Sequence, residues 1–66
     1  MVAEALATLS NKERAALVLR DLEGLSTKEV AQALGSTQTT VRTQISSARA
    51  KIKLYRDRAL NRARRG

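Results

Sequence analysis

Apolar residues recur along this chain at helical spacing in successive blocks, and residues that start or stop helices bracket each block. The first block, Leu6 and Leu9, predicts a short opening helix packed on the rest of the bundle. Ser10 and Glu13 then form a capping-box pair. The serine hydroxyl can accept from the Glu13 amide while the glutamate reaches back to the Ser10 amide. The helix this pair opens carries Ala15, Ala16, Val18, Leu19 and Leu22 as one apolar stripe, and Gly24 supplies the left-handed residue that ends it. Ser26 and Glu29 repeat the box ahead of a two-turn helix burying Val30, Ala31 and Leu34, which Gly35 stops. After the turn, Thr37 caps a longer helix with its apolar positions at Val41, Ile45, Ala48 and Ile52, a stripe that Tyr55 extends.

A short helix, a three-residue turn headed by glycine, and a longer helix make a helix-turn-helix pattern over residues 26–52. The expected fold is therefore all-α: a small four-helix domain over residues 1–55, with no winged element. Residues 56–66 have helix-forming side chains but no core-facing stripe and end in repelling arginines, so they are expected as a basic tail, a frayed helix or a disordered segment.

Charge sharpens this picture. Through Thr37 the chain has four basic residues against five acids; from Gln38 onward it has nine against Asp57 alone. The whole net charge of +7 thus resides in the last helix and its extension. A pI of 11.2 selects polyanionic partners: nucleic acid, an anionic membrane surface or an acidic protein. A membrane-surface helix is disfavoured, because the basic helix lacks a Trp, Phe and Leu face. No apolar run approaches the roughly 20 residues of a spanning helix. Cysteine and histidine are both missing, which removes disulfides, thiolate sites and a conventional zinc site. No cofactor is implied.

Placed on a recognition helix, Val41 and Ile45 turn inward and Gln38, Thr39, Arg42, Thr43 and Ser46 turn outward, where base edges would lie. Arg42 can pair two-pronged with guanine and Gln38 with adenine, while Thr43 and Ser46 can donate or accept at either edge. Phosphate contacts are expected from the helix N-terminus at Ser26, Thr27 and Lys28 and, along the last helix, from Arg49 and Lys53. Glu29 is a cap rather than a catalytic carboxylate. With no nucleophile–base pair and no carboxylate dyad, the chain is not read as an enzyme.

Joined together, residues 19–31 (LRDLEGLSTKEVA), 40–42 (TVR) and 48–52 (ARAKI) resemble the fourth conserved region of bacterial sigma factors, most nearly the extracytoplasmic-function group. The resemblance covers residues 4–55. It implies a cytoplasmic, monomeric DNA-reading module of a longer factor, recognising the −35 promoter element in the major groove. The usual upstream domain, which binds the −10 element and the polymerase clamp, is not among these residues. The resemblance further implies contact with the RNA polymerase beta-subunit flap and masking by an anti-sigma protein, through a groove near Leu6, Leu9, Val18 and Leu22. The chain departs from the family pattern at Ser10, where proline is usual, and at Thr39, where glycine is frequent. Gln44 and Ser47 stand where arginines are common, so the promoter sequence does not carry over.

Two other readings share parts of this pattern. LuxR-like output domains have the same four-helix plan, but they usually carry histidine where this chain has Gln44, and they end sooner. A basic module whose main partner is an acidic protein would need no base-reading face.

Overall fold

In the computed structural model, which describes residues 2–65, the chain forms four α-helices and one π-helical segment. Helix α1 (Val2–Ala7) ends in a turn in which the Thr8 hydroxyl donates to the Ala5 carbonyl at 2.7 Å. Helix α2 (Asn11–Leu17) opens on the Ser10–Glu13 capping box. The Glu13 amide donates to Ser10 Oγ at 3.2 Å, and the Ser10 amide donates to Glu13 Oε1 at 2.9 Å.

Beyond α2 the helix changes its winding, which the apolar periodicity does not predict. Residues Val18–Leu22 form a π-helical turn, closed by the Glu23 amide on the Val18 carbonyl at 3.0 Å. Each such turn holds more residues than an α-turn and so shifts the phase of the stripe. Leu17, off the expected stripe, is buried on the same face of α2 as Glu13 and Ala16, and Leu22, expected on the stripe, is 71% exposed. Gly24 then takes φ +75° and the Leu25 amide returns to the Leu19 carbonyl at 3.1 Å.

Helix α3 (Thr27–Leu34) opens on the second box, with Glu29 amide to Ser26 Oγ at 3.1 Å and Ser26 amide to Glu29 Oε1 at 3.0 Å. It stops at Gly35, which takes φ +63°, and the Ser36 amide closes on the Ala31 carbonyl at 2.8 Å in the manner of a Schellman turn. Leu34, expected inside, lies at the exposed rim of this stop. Thr37 caps α4 (Gln38–Arg65), its Oγ1 accepting from the Thr40 amide at 3.2 Å.

The core is thin and aliphatic: Leu9, Ala16, Leu17, Val30, Ala31, Val41, Ile45 and Ala48, with Leu6, Leu19, Leu25 and Ile52 packed around it. Alanine at positions 16, 31 and 48 lets α2, α3 and α4 approach closely. Two ion pairs tie distant segments to α4. Lys51 Nζ meets Glu13 Oε1 at 2.7 Å, so the carboxylate of the first capping box also anchors the last helix; Arg49 meets Asp21 at 2.7 Å. The Tyr55 hydroxyl donates to Glu4 Oε2 at 2.8 Å and fastens α1 to the same helix.

The segment expected as a frayed helix or disordered tail is helix from residue 56 to Arg65, an unbroken continuation of α4. Ala59 within it is half-buried, while Arg56, Asp57, Arg58 and Leu60 face solvent. Gly66 lies outside the described residues.

Candidate nucleic-acid interface

The two capping devices at Ser26 and Thr37, with Gly35 between them, set α3 and α4 as a helix-turn-helix unit. Burial of Val41, Ile45 and Ala48 fixes the rotation of α4 about its axis. That rotation brings Gln38, Thr39, Arg42, Thr43 and Ser46 to solvent, and all five are exposed. They lie on two adjoining ridges, 38–42–46 and 39–43–46, over the first turns of the helix.

Their bonding states differ. The Arg42 and Ser46 side chains make no hydrogen bond or ion pair among the described residues, so the whole Arg42 fork is available to a guanine or a phosphate. Thr43 spends its hydroxyl proton on the Thr39 carbonyl, at 3.1 Å. Its oxygen can still accept and its methyl remains on the surface.

At the start of α3 the structure divides the expected anion site. The Ser26 amide donates to the capping box and its hydroxyl oxygen accepts there, which leaves the amides of Thr27 and Lys28 without a partner among the described residues. The box also brings a carboxylate to this helix end. The Ser26 backbone bond, then its hydroxyl, holds the Glu29 acid below its ordinary range, so Glu29 stays ionised there. A phosphate at this end therefore meets two free amides and Lys28 rather than three amides.

One groove joins these elements. Arg20 from the π-turn, Thr27 from α3, and Arg42, Ile45, Ser46 and Arg49 from α4 line it together. Arg20, within the π-turn, carries no mark in the sequence pattern. Lys53 lines the neighbouring groove with Asp21, Arg49 and Arg56, so the predicted phosphate ligands of α4 share one side of the helix. Arg49 is already engaged. Its guanidinium donates to both oxygens of Asp21, at 2.7 and 3.3 Å, and this contact raises its already high pKa further.

The four residues of the predicted apolar contact set differ in exposure. Leu9 is 7% exposed and belongs to the core, because the chain turns inward after α1 to reach the Ser10 cap. Leu6 and Val18 are half-buried, and Leu22 alone is a large exposed apolar surface. The groove beside the end of α1 is lined instead by Thr8, Lys51, Leu54, Tyr55, Arg58 and Ala59. Leu54 and Leu60, each 52% exposed, are apolar surface on α4 that the periodicity does not single out.

The profile of the family "Sigma-70, region 4" matches residues 1–52, more than three-quarters of the chain and the whole of the helix-turn-helix. This chain belongs to the sigma-70 region 4 family. The family consists of helical DNA-binding domains of sigma factors, directed in general to the −35 promoter element, and is not enzymatic. It accounts for the polar outer face of α4 and the concentration of charge on that helix. Comparison with curated proteins gives no match. No described helix of this region 4 domain is long and apolar enough to cross a membrane.

Proposed function

We propose that this region 4 domain serves a sigma factor of the extracytoplasmic-function group and reads the −35 element with the outer face of α4. The observation that carries this reading is the exposed set Gln38, Thr39, Arg42, Thr43 and Ser46 on the first turns of α4, with the Arg42 fork unpartnered at its centre. Bases are read by these five side chains. Phosphates are held by the Thr27 and Lys28 amides, the Lys28 ammonium and Lys53, with Arg20 joining from the π-turn. The protein partner is the polymerase flap, and Leu22 with the rims of Leu6 and Val18 is the surface offered to it or to an anti-sigma protein. The domain acts as a monomer within a cytoplasmic polymerase.

Titration of the 66-residue chain against a −35-element duplex and a scrambled duplex tests this reading. Arg42→Ala should weaken the −35 duplex by about 1–3 kcal/mol and the scrambled one much less, because a base contact carries sequence information. Lys53→Gln should weaken both alike and reduce the salt slope by roughly 0.9. Equal losses on both duplexes for Arg42→Ala would remove base reading from this residue.

A further inference from the structure

Five cations stand on one side of the helix-turn-helix: Arg20, Arg42, Arg49, Lys53 and Arg56. Arg20, Arg42, Lys53 and Arg56 have no acidic partner among the described residues. Arg49 is held by both oxygens of Asp21, from the π-turn 28 residues earlier. It nevertheless lines the same groove as Arg20 and Arg42. Arg49 lies seven residues beyond Arg42 on α4, about 10 Å along the axis, and on the same side. A phosphate strand lying on Arg20 and Arg42 thus passes within reach of the Arg49 side chain.

The geometry points to Asp21 as an intramolecular competitor for DNA phosphate: it holds Arg49 back and sets the affinity of the domain below what its arginines could give. This rests on the reading of the α4 face as a DNA interface. Asp21 mimics the ligand. A carboxylate taking two guanidinium protons occupies the same fork that a phosphate would take. The pair is exposed, with 58% of the Arg49 side chain and 38% of the Asp21 side chain accessible, so the hold is weak. Its release changes affinity by a small factor rather than switching binding on or off. The competitor sits within the π-turn, which is closed by the Glu23 amide on the Val18 carbonyl.

The test compares the wild-type chain with Asp21→Asn, Asp21→Ser and Asp21→Asn/Arg49→Gln on one duplex. Its phosphates are replaced singly by neutral methylphosphonates, and helicity is checked by circular dichroism. Freed Arg49 should lower Kd by roughly two- to fivefold in both single variants. It should also steepen the salt slope by about 0.9. Both single variants should become sensitive to one phosphate whose neutralisation wild type ignores, and the double variant should lose that sensitivity. A phosphate footprint identical to wild type, or a gain that persists without Arg49, overturns the proposal and reduces Asp21 to general repulsion. If the wild-type chain binds no duplex at all, the DNA reading fails with it; if wild type binds and only the extra phosphate is missing, the DNA reading stands.

Discussion

Glu13 shows how one side chain can serve two levels of structure. It completes the cap of α2 and receives Lys51 from α4, and its side chain is only 11% accessible. The Lys51 ammonium first, then the Ser10 amide, lowers its acid from the ordinary 4.5 to about 2. A carboxyl whose pKa falls on folding stabilises the fold above its unfolded value and loses that contribution as pH falls through the folded one. Melting temperature should therefore drop between about pH 4.5 and 2, with Glu29 adding in the same direction. Glu13→Gln should be less stable at neutral pH and show a shallower acid dependence in that window. Parallel curves for the two proteins would mean that the Lys51 contact contributes nothing. The capping role of Glu13 was legible from its three-residue spacing to Ser10. Lys51 was not, because nothing local marks a partner 38 residues away.

Among the elements, the stops proved as legible as the starts. Gly24 and Gly35 both take the left-handed backbone that their positions predicted, and each has open space where a side chain would be added. Replacement should therefore cost only conformational energy. Gly35→Ala should destabilise by about 1–2 kcal/mol, and Gly35→Asn by less, since asparagine tolerates this conformation. Chemical denaturation of the two variants checks this; equal costs would point to a packing role for Gly35. The π-turn was not legible. Nothing in the residues Val18–Leu22 marks the extra residue per turn, and apolar spacing alone does not reveal it. Leu17 rather than Leu22 is in the core, and the π-turn carries both Arg20, which lines the basic groove, and Asp21, which meets Arg49. The outer face of α4 was readable because its inner stripe was unambiguous. The state of each side chain on that face depends on contacts across helices.

For the whole molecule, α4 is both framework and interface. At 28 residues it spans about 42 Å, close to the 45 Å length of the molecule. Its first turns supply Val41, Ile45 and Ala48 to the core, and its middle is fastened by Lys51 and Tyr55. The basic charge extends along the helix well past the first turns where bases would be read, so electrostatic attraction covers a larger surface than sequence reading does. These two contributions separate in a selection of random duplexes by the 66-residue chain at two salt concentrations, repeated with Arg42→Ala. An asymmetric motif of −35 type, bound by a monomer and losing one specified position in the variant, is the expected result. A two-fold symmetric site would favour the LuxR-like arrangement. Salt-dependent binding with no enriched motif would contradict base reading by α4 and leave its charge as an attraction for polyanions alone.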